Sequence, residues 1–158
     1  VTKFVRFEPH GTIDLTKSVI KSWVEAYDKR SIYNWAIELK SINQVIGSIS
    51  VVDMDEKNSC CEVGYCMSKA YWGQGIMTEV LKSVINYLLD NVGINRVHAK
   101  HRIDNIASSR VMRKAGMHYE GRLRQYRVDN SGAFYDVDMY SILQDDLRMG
   151  DGAGSHII

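Results

Sequence analysis

The chain has 158 residues, 45% hydrophobic and 25% charged, with 20 Lys and Arg against 19 Asp and Glu for a net charge of +1. That length fits one domain with a core of its own, and the balance excludes a disordered chain and any binder of nucleic acid or acidic membrane that works through whole-surface basic charge. No apolar run reaches the roughly 18 residues that would span a bilayer, and nothing at Val1 has the charged and apolar regions of a secretory signal.

Residues 12–27 place Ile13, Val19, Ile20, Trp23 and Val24 at helical spacing, with Thr12 or Asp14 as cap. Residues 33–39 and 44–53 alternate apolar and polar positions around a turn at 41–43, which predicts a hairpin. After a charged turn at 53–58, a strand over 59–67 carries Cys60, Cys61 and Cys66. Neighbours on a strand face opposite ways, so Cys60 and Cys61 do not share a metal. No CxxC pair or HExxH stretch completes a ligand set, and no metal is expected. The cysteines read as reduced, packed thiols of a cytoplasmic protein.

The strongest helix follows. Ile76, Val80, Leu81, Val84, Ile85, Leu88 and Leu89 form one apolar stripe that stops at Asn91 and Gly93. A strand at 96–101, a helix at 105–115 closed by Gly116, and strands at 118–128 and 133–143 around a turn at 129–132 complete the pattern. The order predicts a mixed α/β fold: a mostly antiparallel central sheet with helices on both faces. One domain over 1–147 and a Gly-rich tail over 148–158 are expected.

Gly73 and Gly75 fall between the end of a strand and the start of that strongest helix. A helix N-terminus presents unpaired N–H groups and a partial positive charge, and glycines let an anion approach them. An anion cradle and a purely structural turn both fit. A Walker loop is excluded because no Lys follows Gly75. A dinucleotide fingerprint is excluded because Thr78 stands where its third glycine belongs.

Trp72-Gly73-Gln74-Gly75-Ile76-Met77 stands where the GNAT superfamily of acyl-CoA N-acyltransferases has Gln/Arg-x-x-Gly-x-Gly/Ala. The stretch from Asn105 and Ser108 through Arg110 to Lys114 and Gly116 resembles that superfamily's second signature. Glu62-Val63-Gly64-Tyr65, Glu120-Gly121-Arg122-Leu123-Arg124 and the closing Gly132, Asp136 and Tyr140 are similar to its RimJ/RimL-type subgroup. Trp72 and Met77 depart from the superfamily pattern; Met77 adds bulk beside the expected pyrophosphate, which a backbone cradle tolerates.

The resemblance implies two splayed parallel strands with acetyl-CoA, the co-substrate, in the gap. Cys66, Met67 and Ser68 would run beside the pantetheine arm, with an amide near Met67 polarising the thioester carbonyl. The amides of Gly73, Gln74, Gly75, Ile76, Met77 and Thr78 would take the pyrophosphate, and Asn105 would reach the arm. Ser108 is a candidate proton donor to the thiolate or a helix-start hydroxyl. Glu62 is the candidate base, with Gly64 leaving room beside it, or else a salt-bridge partner. Direct transfer in a ternary complex is expected, so Cys66 is not a nucleophile. The acceptor is an amine: a protein N-terminus such as that of a ribosomal protein, or a small polyamine, amino sugar or antibiotic. A non-catalytic acyl-CoA-binding module is the rival from another class.

Nine Lys/Arg between Arg96 and Arg127 face only Asp104 and Glu120, a segment for coenzyme phosphates or for solvent, while the acidic remainder suits a cationic acceptor. No nucleic-acid motif accompanies it. Tyr126, Tyr135 and Tyr140 read as packing or acceptor-site walls, and Asp136 as orienting the last hairpin. The resemblance also implies a first strand and helix ahead of Val1. Their absence would leave an edge strand open to a second copy.

Overall fold

The computed structural model describes residues 10–28 and 33–151; the expectations placed on the opening Val1 segment and on the tail past 151 lie outside the described residues. Helix α1 is Ile13–Asp28, and Thr12 is its cap, its Oγ1 accepting the Leu15 N–H at 3.2 Å. Strands β1 (Asn34–Leu39), β2 (Gln44–Asp55) and β3 (Cys60–Met67) form an antiparallel meander. A short 3-10 turn, Lys69–Tyr71, leads to α2 (Ile76–Asn86), continued by a π-helical segment Tyr87–Val92. Then come β4 (Arg96–Arg102), α3 (Ile106–Lys114), β5 (His118–Val128), β6 (Phe134–Leu143) and α4 (Gln144–Asp151).

The sheet order is β1-β2-β3-β4-β6-β5, antiparallel everywhere except between β3 and β4. That pair is parallel because α2 carries the chain across a face of the sheet between the two strands. It is also short: Cys60 pairs with Arg96, Cys61 with Val97 and Glu62 with His98, and no pairing follows.

The α2 stripe is buried as its spacing requires. Leu81, Ile85, Leu88 and Leu89 pack with Cys61, Val63, Val97, Ala99, Met112, Tyr140 and Ile142 in the main core. Gly93 ends the π segment in the left-handed conformation at φ 81°, which a glycine adopts without strain. A second cluster, Ile37, Ile46, Met67 and Met77, underlies the glycine loop. Burial pushes the Cys61 thiol up to about 12, with Cys60 beside it adding to the shift, which makes Cys61 a packed, inert thiol.

Two features depart from the sequence expectation. Strand β2 carries a bulge between Val51 and Asp53, which leaves Val52 without a partner in the register. Residues 144–151 form α4, so the expected boundary at 147 falls inside a helix whose Leu147 packs on the main core. The Asp146 carboxylate accepts the Leu143 N–H at 2.8 Å at its start.

The closing hairpin is tied back by charge. Arg96 of β4 binds the Glu120 carboxylate of β5, and Ser141 of β6 donates to the same carboxylate at 2.7 Å. Arg96, ahead of Ser141, holds Glu120 down to about 2 against the opposing effect of burial. A carboxylate depressed by folding stabilises above the unfolded value of about 4.3 and loses that contribution as pH falls through the folded value. Glu120→Gln should therefore lower the thermal midpoint at pH 7, and the gap to wild type should close between about pH 5 and pH 2; a gap independent of pH would contradict this assignment.

Candidate active site

The parting of β3 from β4 decides where backbone polar groups point. The Ser68 N–H donates to the Ile46 carbonyl at 2.8 Å, which makes 46/68 a hydrogen-bonded pair of the β2–β3 ladder. Alternation along an antiparallel ladder then turns Cys66 and Gly64 toward β2, and Val63, Tyr65 and Met67 toward β4. Beyond Glu62 no strand meets them there. Of the expected stretch 66–68, Met67 thus faces the gap, whereas the Cys66 and Ser68 amides are committed to β2. The Met67 carbonyl accepts the Trp72 indole N–H at 2.8 Å, so Trp72 pins the loop to the end of β3.

The loop itself carries donors. Gly73 and Gly75 have φ of 76° and 82°, and a Cβ at either would meet nothing within 4 Å. The Thr78 and Glu79 N–H groups turn inward to the Gly75 carbonyl at 3.0 and 3.1 Å, while the amides of residues 73–77 have no backbone partner among the described residues. Gly73, Gly75, Met77 and Thr78 line the cavity; Gln74 and Ile76 do not. The Gln74 side chain folds back to the Ala70 carbonyl at 3.3 Å, and Ile76 packs against the second core cluster. Met77 buries its side chain in that cluster, so its bulk points away from the loop surface.

Across the gap, Asn105 caps α3, its Oδ1 accepting the Ser108 N–H at 3.2 Å. That leaves the buried Ser108 hydroxyl for Tyr65, whose phenol lies 2.7 Å away. Burial pushes the Tyr65 phenol up, against the Ser108 hydrogen bond, which keeps its proton on oxygen. In the sequence Tyr65 closes the Glu62–Tyr65 motif with no evident role; only the fold brings it to a residue 43 positions away. One cavity of about 750 Å³ joins all these groups, from Gly73 and Gly75 past Tyr65, Met67, Asn105 and Ser108 to Glu62.

Residues 1–118 match the family described as acetyltransferase (GNAT) domain. The chain belongs to that family. YoaA of Bacillus subtilis, an uncharacterized N-acetyltransferase, is 32% identical over 144 residues, covering 91% of this chain and 81% of that protein. The ribosomal-protein-serine acetyltransferase of Escherichia coli is 31% identical over 103 residues, 65% of this chain and 57% of its own length. The structure of RimL, a ribosomal L7/L12 α-N-protein acetyltransferase in complex with coenzyme A, superposes with a TM-score of 0.81 at 24% identity over 92% of this chain and 81% of that one. The mixed sheet with its flanking helices is thus the GNAT fold, and the chain is an N-acetyltransferase of that family.

In this GNAT domain Glu62 is not a solitary carboxylate. Lys100 Nζ lies 2.7 Å from its Oε2 and Arg127 donates to its Oε1 at 3.2 Å. His98 stands 4.0 Å from Oε2, and burial, ahead of neighbouring charges, lowers its pKa and keeps it neutral. Lys100 also reaches the Tyr126 hydroxyl at 3.0 Å. Val52, the residue the β2 bulge supplies, stands 3.1 Å from where a Cβ at Gly64 would lie, and Gly64, Val52 and Glu62 all border the cavity. Glu62 is the single acid on the cavity wall among the described residues, facing Lys100, Arg110, Lys114 and Arg127. Among the described residues, the acidic remainder of the sequence therefore does not reach this wall. The other basic residues of the 96–127 segment are partly paired off, Arg122 with Asp138 and Arg102 with Asp104. Asp136 accepts the Gln125 N–H at 2.8 Å, orienting the last hairpin, and Tyr140 is core.

No cluster of His, Cys, Asp and Glu suited to a metal occurs among the described residues, and no helix there is long and apolar enough to cross a membrane. The Lys100 and Glu62 side chains are both buried, so removing Lys100 takes one cation from a carboxylate that Arg127 still holds at Oε1. Lys100→Met should lower stability in urea unfolding, by less than the about 3–5 kcal/mol of an uncompensated buried charge, and adding Glu62→Gln should recover part of it; equal stability of wild type and the single variant would contradict a buried pair.

Proposed function

We propose that this chain transfers the acetyl group of acetyl-CoA to a protein N-terminal α-amine, by direct attack within a ternary complex in the cytoplasm. The observation that carries the reading is the continuous cavity running from the glycine loop, through the gap between β3 and β4, to Glu62. The loop suits a pyrophosphate: its free amides 73–77 sit at the start of α2, the glycines leave the approach clear, and Arg110 and Lys114 border the same cavity. The Met67 amide, turned into the gap, suits the thioester carbonyl, where it would stabilise the charge that develops on oxygen. Asn105 suits the arm from the other side.

The attacking amine must be neutral. Lys100 and Arg127 at the Glu62 end disfavour an ammonium, and this favours an α-amine of pKa about 7.7–8.0 over a lysine amine near 10.4. Relatives and fold neighbours acting on ribosomal proteins support a protein acceptor of that kind. As C–N forms and C–S breaks, the departing sulfur takes a proton from the Tyr65–Ser108 hydroxyl pair, which burial keeps protonated, and the proton shed by the amine nitrogen restores that pair. Glu62, with both oxygens on cations, anchors Lys100 and Arg127 at the acceptor end.

Thiol release from acetyl-CoA tests the assignment across peptides beginning with Ala or Ser, an N-terminally blocked peptide with an internal Lys, and spermidine. Turnover is expected on the free N-termini. Turnover on spermidine alone would assign a small-amine acceptor instead, and coenzyme binding without turnover would assign a binding module. Tyr65→Phe should lower kcat by about 10²-fold with the KM for acetyl-CoA within about twofold of wild type; unchanged kcat would remove the pair from the chemistry.

A further inference from the structure

We propose that His101 takes the proton from the attacking amine, an inference that rests on the acetyl-transfer reading above. Glu62 pairs with His98, so Tyr65 on β3 and His101 on β4 each lie three residues past the last rung, level with one another on the two sides of the gap. Alternation places them on the same face. Val97 and Ala99 precede His101 on β4 and pack with Cys61 and Val63, which precede Tyr65 on β3. The imidazole thus borders the gap from the side opposite the Tyr65–Ser108 pair, and it lines the cavity.

Its tautomer is fixed by its own strand. Nδ1 lies 2.6 Å from the Arg102 carbonyl oxygen, which can only accept, so Nδ1 carries the hydrogen and Nε2 the lone pair. Nε2 is buried and has no partner among the described residues. An acceptor taken out of water with no donor destabilises the fold, so a ligand donor is the natural occupant. Two other buried atoms share this condition, and neither can serve as the base. His98 Nδ1 does not border the cavity, and Asn34 Oδ1 belongs to an amide, which takes no proton. The oxygens of Glu62 already hold Lys100 and Arg127.

The groups facing His101 suit a transient positive charge. Asp138 is its cross-strand partner on β6, held by Arg122. The Tyr140 ring tilts against the imidazole at 5.6 Å, with its hydroxyl bonded to Ser109 and Arg113. Tyr65 and Ser108 face it from β3 and α3, and the Arg102 guanidinium is drawn off to Asp104 and the Tyr135 ring. In the reaction the amine nitrogen bonds the acyl carbon and its proton passes to Nε2. The C–S bond breaks, sulfur takes a proton from the Tyr65–Ser108 pair, and His101 returns its proton to that pair. One proton moves from nitrogen to sulfur, and no further reactant enters.

His101→Gln keeps a side chain of similar size that cannot carry the proton. With acetyl-CoA and an Ala-initiated peptide, it should lower kcat at least about 100-fold while the KM for acetyl-CoA stays within about twofold. In H101Q, kcat within about threefold of wild type, or a raised KM with unchanged kcat, would each overturn the proposal. Long-range ¹H–¹⁵N spectra of the wild-type protein, assigned by replacing the other histidines, give a reading that needs neither a folded variant nor turnover. An Nδ1–H tautomer with an Nε2 signal that shifts on adding coenzyme A supports the assignment, and an Nε2–H tautomer or a signal indifferent to coenzyme A overturns it. Wild-type protein that acetylates neither peptide nor spermidine would sink the acetyl-transfer reading, while the spectra still judge His101.

Discussion

The site depends on one geometric event: β3 and β4 stop pairing after Glu62 and His98. Up to that rung the two strands share a ladder and a core; beyond it the inner edge of β3 turns Tyr65 and Met67 toward open space. In a fully paired sheet those backbone groups would be satisfied by the neighbouring strand and nothing could enter. Parting the strands converts ladder groups into donors and acceptors for an extended ligand, the same logic by which a peptide adds to a sheet edge. The divergence stays stable because the sheet remains paired on both flanks and α2 and α3 hold the opening by packing on the main core.

The two faces of the opening differ in chemistry. On the helix side stand hydroxyls and an imidazole: Tyr65 with Ser108, and His101 opposite. On the other side stand fixed charges, Lys100 and Arg127 around Glu62. Proton traffic suits groups that titrate or exchange without being pinned, and charge selection suits groups that are pinned. The segregation follows from strand alternation, since residues 61, 63 and 65 share one face with 97, 99 and 101, and 62 and 64 share the other with 98 and 100.

Much of this was legible in the chain. The α2 stripe, the glycines ahead of it, the helix closed by Gly116 and the closing hairpin are local signals, set by residues within a few positions of one another. What escaped was what only register reveals. In the sequence nothing distinguishes His101 from His98 on the same strand; only the pairing of Glu62 with His98 sets its level against Tyr65. Arg127 meets Glu62 across 65 positions, and Val52 reaches the space above Gly64 only because β2 bulges there. Helix α4 escaped because its signals, Asp146 and a single packed Leu147, are short and follow directly on a strand.

Hydrogen exchange with and without coenzyme A tests the opened rung most directly. The account predicts that coenzyme A slows exchange at the amides of Tyr65, Met67 and residues 73–77, and leaves Cys66 and Ser68, already bonded to β2, unchanged. Protection that spares Tyr65, Met67 and the 73–77 loop, or that falls elsewhere on the chain, would contradict it.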